Sequence, residues 1–293
     1  MKIVRLVVLI TATVFFGAAA AQTTALSAAA LSVNDSRPVN VLAEKIEALS
    51  GIPVNYEDVQ YAYAADTVDV TSSVVNPSYP APVNFQVIIP RAAQLSALIT
   101  VDAATQKLSG PSSALNALNE VLRAASANTA IAGKFTVENY ENVFFIYPAQ
   151  ARSATGQFVP YTPVLSTPID VPGLPQTAIE TLEAILQQVS EKVGVKVGLG
   201  TMPFKAFRVS TVTISASQEP ANYVLARLFA AVCASGVAAP QSSLGMSYHA
   251  FFDPRFKSYA LNIHVVANPN VAVSSQNPFK APIQSTPSRW RAK

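Results

Sequence analysis

The chain has 293 residues, 50% of them hydrophobic and 13% charged, with a formal charge of +3 and a single cysteine. One cysteine excludes an internal disulfide framework, and the length is enough for two domains of roughly 100–150 residues each. The charge is unevenly spread: Lys2 and Arg5 open the chain, Lys280, Arg289, Arg291 and Lys293 close it, and the body between carries 14 bases against 17 acids. A mildly acidic body with a short basic tail lacks the dense basic face that nucleic-acid binding requires.

Residues 1–21 read as a signal peptide. Lys2 and Arg5 precede an apolar run from Leu6 to Phe16, and Ala18-Ala19-Ala20-Ala21 before Gln22 fits a small-residue cleavage site after Ala20 or Ala21. The run is shorter than the roughly 20 residues of a membrane span. The mature chain is therefore expected to be periplasmic or secreted, with no transmembrane segment after cleavage.

A first α+β module is expected over residues 22–148. Ala30 to Val33 reads as a short strand, and Asn34-Asp35-Ser36 offers a helix cap ahead of Pro38. Val39, Leu42, Ile46 and Leu49 then repeat with helical spacing, and Gly51 stops the helix. Ile52, Val54 and Tyr56 alternate as in a strand. The stretch from Val70 to Ile89, with Pro77, Pro80 and Pro82, is either a long loop or an extra edge ribbon. Ala97 to Val101 forms a strand, 111–125 a helix, and Phe135–Glu138 pairs with Val143–Tyr147 around Asn139-Tyr140-Glu141-Asn142.

Residues 149–163 read as a linker, and 164–267 repeat the same order. Thr167 to Val171 is strand-like, and Leu174 to Thr177 leads into a helix bearing Ile179, Leu182, Leu186, Val189 and Val193 on one stripe. Gly194 ends it, and Val195, Val197 and Leu199 alternate. Val209 to Ile214 precedes a helix over 220–234, and Met246–Phe252 pairs with Tyr259–Val266 around residues 253–258. Each half thus reads β-α-β-β-α-β-β, with two helices laid on one face of a small sheet. Residues 268–293 form a basic tail rich in Pro, Ser, Gln and Asn, expected to be disordered and able to touch an anionic surface weakly.

With Gly51-Ile52-Pro53-Val54-Asn55-Tyr56 after a strand and helix, the segment from Ser32 to Tyr56 resembles the short N-terminal domain of secretins and TonB-dependent receptors. The helix at 111–125 and the hairpin at 135–147 extend the likeness across most of the first half, and the second half resembles a divergent copy. The resemblance implies a periplasmic β-α-β-β-α-β unit that contacts partner proteins or neighbouring subunits. Those proteins continue into an outer-membrane barrel where a short basic tail is read here, so the resemblance carries over only the interaction module and not transport or secretion.

No chemistry-bearing motif stands out, and no catalytic, cofactor-binding or metal residue is assigned. His249 and His264 sit on opposite arms of the last hairpin, near enough to face each other across it. Asp253 lies further along in the turn, and a zinc site needs three or four ligands. Glu57-Asp58 and Glu138/Glu141 are close acid pairs expected to be solvated or on opposite faces. Cys233, inside Val232-Cys233-Ala234, reads as a small buried hydrophobe. The glycines of the segment Val193 to Gly200 follow a helix instead of opening one, which excludes a phosphate-binding loop. Tyr56, Tyr61, Tyr63, Phe144, Phe145 and Tyr147 divide between core and an outward face suited to protein contact. Trp290, between Arg289 and Arg291, belongs to the tail.

Two function classes remain. One is a non-enzymatic envelope module that binds an envelope protein or its own copies through sheet edges and outward aromatics, a surface-associated protein tethered by its tail being a variant of it. The other is an envelope hydrolase or small-ligand-binding protein with a site between the modules.

Overall fold

The computed structural model describes residues 25–74, 86–236 and 243–269. The expected signal peptide, the prolines of the insertion, Trp290 and all but the first two residues of the expected tail lie outside them. In the first half the elements are β1 (Leu26–Asp35), α1 (Pro38–Ser50), β2 (Val54–Glu57), β3 (Thr67–Asp69), α2 (Thr71–Val74), β4 (Ile88–Pro90), β5 (Ala93–Asp102), α3 (Pro111–Ala127), β6 (Gly133–Tyr140), β7 (Val143–Arg152) and β8 (Phe158–Pro160). The second half follows with β9 (Pro168–Thr177), α4 (Ala178–Val193), β10 (Val197–Leu199), α5 (Phe204–Val209), β11 (Thr211–Pro220), α6 (Ala221–Ala234), β12 (Ser243–Asp253) and β13 (Ser258–Ala267). The fold is α+β, as the patterning implies.

The helices form where the stripes place them. Val39, Leu42, Ala43 and Ile46 are the buried face of α1, and Leu182, Ile185, Leu186 and Val189 that of α4. Both helices end on a left-handed glycine, Gly51 at φ 70° and Gly194 at φ 72°, a conformation glycine adopts without a Cβ penalty. Their starts differ. Thr177 and Glu180 cap α4 reciprocally, whereas α1 has no side-chain cap, and the Asp35 carboxylate instead accepts the Arg37 N–H at 2.8 Å.

In each half a long antiparallel ribbon covers the helices on the side away from the main sheet. β1 pairs with β5 from Leu26↔Asp102 to Asp35↔Ala93, and β11 pairs with β9 with two register shifts. Alternate residues of β5, from Ala93 to Val101, are buried against α1 and α3. The helix pair is thus sandwiched between ribbon and sheet, one layer more than the two-layer arrangement expected from sequence. A helix stripe wider than one face explains this: Ala117, Leu118, Val121 and Leu122 are all buried on α3.

The halves do not form separate sheets. The strands run in the order β10-β13-β12-β2-β7-β6, with β8 added beside the end of β7. β12 joins β2 in parallel, His249 opposite Tyr56 and Ala250 opposite Glu57. Two cores persist nonetheless, one on each face of this sheet. Val54, Tyr56, Phe144 and Ile146 point to the first-half helices, while Phe145, Tyr248, Ala250, Phe252 and Leu261 point to the second-half helices. All four residues of β2 are buried, a central strand covered on both sides.

Three further differences follow from this joining. The segment 149–163 is not a free linker: β7 runs on to Arg152, β8 folds back onto it, and Val164 and Leu165 are buried in the second core. Phe144 and Phe145 alternate, so one of the two was expected to face outward, yet they are 0% and 1% exposed, because α6 covers the face that Phe145 presents. Glu57 and Asp58, expected to face opposite sides of a strand, are both buried, at 3% and 0% exposed. At the base of the insertion, β3 and β4 pair antiparallel from Thr67↔Pro90 to Asp69↔Ile88, so an extra ribbon brackets it.

Candidate functional site

Polar side chains that sequence reasoning left apart converge where β12 meets β2. On one face, an open recess of about 430 Å³ is lined by Glu44, Glu47, Thr201, His249, Asn262, Ile263 and His264. The hairpin does bring its two histidines together, with ring centroids 4.6 Å apart. The carboxylates beside them come from α1, not from Asp253, which caps its own turn by accepting the Arg255 and Phe256 N–H groups. Glu47 and Glu44 lie three apart on one helix face, a spacing legible in sequence, but their meeting with His264 spans 217 residues and only the sheet joint creates it.

Glu47 is the hub. One carboxylate oxygen lies 2.6 Å from His264 Nε2, and the other accepts the Ser247 hydroxyl at 2.6 Å and the Val54 N–H at 2.8 Å. His249 Nδ1 lies 3.3 Å from Glu44. The two imidazoles are pushed in opposite directions. Burial, with the neighbouring His264, lowers His249 to about 3, so it is neutral. Burial also opposes charge on His264, but the hydrogen bond and charge of Glu47, then the charge of Glu44, outweigh it and raise its pKa.

The chemistry open to this cluster is narrow. Ser247 Oγ lies 2.8 Å from His264 Nε2, yet its proton goes to Glu47, and the imidazole meets both serine and carboxylate through the same nitrogen. A nucleophile–base–orienter relay uses the two ring nitrogens for different partners. Ser247 is moreover fully buried. Among the described residues no group of three or more His, Cys, Asp or Glu side chains is placed to hold a metal ion.

A second cluster closes the other end of the joint. Arg37 Nε donates to Asp58 at 2.7 Å and its Nη2 to the Phe252 carbonyl at 2.9 Å, and the Asp58 N–H donates to the Ala250 carbonyl at 2.9 Å. Tyr56 and Tyr61 donate to Asp58, at 3.2 and 2.7 Å, and both phenols are pushed well above their ordinary range, by burial first and then by Asp58. Tyr259 donates to the Asp58 carbonyl at 3.0 Å. Glu57 accepts the Val164 and Leu165 N–H groups at 2.5 and 3.0 Å, and burial raises its pKa to about 7. Asn55 Oδ1 accepts the Tyr248 N–H at 2.9 Å, completing the ladder where β12 and β2 diverge. These satisfied polar groups fix the orientation of one half on the other.

The remaining residues singled out in sequence have structural places. Cys233 is half-buried against the second core, and burial raises its thiol pKa. Glu138 accepts from Tyr147 at 3.1 Å and from Tyr223, and Glu141 is an exposed turn residue at φ 50°. Tyr63 packs near Gly156 and under the Arg152 guanidinium. Val197 to Leu199 forms strand β10, with Gly198 inside it. Among the described residues no helix is long and apolar enough to cross a membrane. No family model, curated protein or solved structure matches this chain.

Proposed function

We propose that the chain is an exported, non-enzymatic interaction or scaffold module of the cell envelope, binding through the edges of its sheet. The observation that carries this reading is the sheet itself, one surface built from both halves and ending in β6 and β10, each paired on one side only among the described residues. An extended segment added to such an edge gains main-chain hydrogen bonds, with specificity from alternate side chains. The apolar leader and the resemblance of both halves to the short N-terminal domain of secretins and TonB-dependent receptors support an envelope setting. The alternative, a hydrolase or small-ligand-binding protein with a site between the halves, finds its best support in the recess at Glu44, Glu47, His249 and His264. The commitment of the Ser247 proton to Glu47 weighs against hydrolysis.

Affinity capture from envelope extract separates the readings, using the chain exported with its own leader and the same chain carrying Val137→Pro, whose N–H lies on the outer side of edge strand β6. A partner recovered by the unaltered chain and lost with the edge variant supports the module. Turnover of an envelope substrate, abolished by Glu47→Gln and indifferent to Val137→Pro, would replace it with the enzyme reading.

A further inference from the structure

The joint between the two halves repeats in a way that leaves its complement on the molecule's surface. β2 and β10 are equivalent strands: each follows a glycine-capped helix and runs parallel to the second arm of its hairpin. In each, the first N–H is held by the side chain seven residues earlier, Val54 by Glu47 and Val197 by Ser190. β12 and β6 are likewise equivalent, the first arms of the two hairpins. Inside the chain the second half presents β12 to β2 of the first half. Among the described residues, the edges left unpaired are the equivalents of those same two strands, β6 and β10.

The operation relating the halves can be read from strand directions. β10 is parallel to β13, β12 is antiparallel to β13, and β2 is parallel to β12, so β2 and β10 run oppositely. The cores lie on opposite faces of the sheet. A half-turn about an axis crossing the strands, with a shift of three strands or about 14 Å, does both. Such an operation does not close on itself, and repeated contacts of that kind build an open chain.

We infer that the partner of these edges is a second copy of this chain, whose β10 adds in parallel to β6 and repeats the β12–β2 joint head to tail. This rests on the edge-binding reading above and names its occupant. The internal register carries over: His249 opposite Tyr56 becomes Thr136 opposite Leu199, and Ala250 opposite Glu57 becomes Val137 opposite Gly200. Two features of the surface fit. Within the chain, α6 reaches across the joint so that Tyr223 stacks on Tyr140 at 4.3 Å. The same half-turn lays α3 of the neighbouring copy, with exposed Asn116 and Asn119, over the open recess at Thr201, Asn262 and His264. In addition, the edge carries a guard. Asp58 N–H donates to Ala250 across the internal joint, but its counterpart, Thr201 N–H, is occupied by Asn262 Oδ1 at 3.0 Å. Asn262 must swing aside for the ladder to form, which keeps the single chain from assembling at low concentration.

Sedimentation velocity across a wide concentration range, with oxidative cross-linking, tests this on the exported chain with Cys233→Ser. Thr136→Cys and Leu199→Cys chains, mixed, should form a disulfide dimer that neither forms alone, since neighbouring strands bring paired Cα atoms within disulfide reach. Asn262→Ala should tighten association several-fold, while Val137→Pro, which removes the outward N–H that would pair with the neighbouring β10, should abolish it. A chain that stays monomeric at every concentration, with Asn262→Ala without effect and no cross-link in the mixture, overturns the inference. If edge-dependent capture of another protein persists in that case, only the self-pairing falls; if it too is absent, the edge-binding reading falls with it.

Discussion

Glu57 offers the sharpest quantitative test of how the joint is built. Its carboxyl is 3% exposed and raised from 4.5 to about 7, chiefly by burial, against the opposing pull of the Val164 and Leu165 N–H groups. A carboxyl whose folded pKa lies above its unfolded value stays protonated in the native state where the unfolded chain has already ionised. The native state then binds more protons, and stability falls as pH rises between the two values. A shift of about 2.5 units corresponds to about 3 kcal/mol, absent below the unfolded pKa and fully felt above about pH 7. Glu57→Gln cannot ionise and keeps one oxygen for the two N–H donors. Its stability relative to the unaltered chain should therefore rise by about 3 kcal/mol from below pH 4.5 to above pH 7. Urea unfolding of both chains at a series of pH values measures this directly, provided the denaturant slopes stay equal. A difference that does not change with pH would show that the two N–H groups fully offset burial and leave the carboxyl at its unfolded pKa, and the burial argument would fail.

Other outcomes follow from the same joint. Glu47→Ala strands the buried Val54 N–H and Ser247 hydroxyl and should cost about 2–5 kcal/mol in urea unfolding. Because Glu47 raises His264, that pair stabilises fully below the unfolded histidine pKa of 6.5 and is lost as pH rises through the folded value, so the variant's deficit should be larger on the acid side. Histidine titration by NMR should show His264 falling toward its ordinary value in the variant while His249 stays neutral. Phe145→Ala should cost about 3–5 kcal/mol, as for a core aromatic, whereas an outward aromatic would cost close to nothing. Gly51→Ala and Gly194→Ala place a Cβ on left-handed backbone, and each should cost about 1 kcal/mol in thermal unfolding. Equal losses at the two glycines would reflect the equivalence of the halves, and a loss at only one would argue against it.

The joint also carries its own specificity. Asp58 holds an arginine, two tyrosine hydroxyls and, through its carbonyl, a third, while Glu47 holds a serine, a histidine and a backbone N–H. Replacing such groups with apolar ones can be neutral for stability, but removing one partner leaves an uncompensated polar group. The polar groups therefore act as a register lock: the short β12–β2 ladder fixes alignment only over His249↔Tyr56 and Ala250↔Glu57, and side chains on both sides of it settle the rest.

Local patterns in the sequence were enough for the long helices and the hairpins, though not for α2, α5 or β8, and Val209, read as the start of a strand, ends α5. Helix stripes, glycine stops and strand alternation depend on neighbours within a few turns, so α1, α4, β2, β10 and both hairpins stand where spacing placed them. The repeat was legible for the same reason. What lay beyond local pattern was partnership. An alternating strand announces that one face is buried but not whether a distant element covers the other, so the burial of both Phe144 and Phe145, and of both Glu57 and Asp58, was not legible. The meeting of His264 with Glu47, and of Tyr259 with Asp58, depends on β12 lying beside β2, a contact between residues some 200 positions apart in chain order. Sequence periodicity determines which side of a strand is apolar; only the tertiary structure decides what comes to rest against the edge and the second face, because that choice is made by long-range packing and the pairing of buried polar groups.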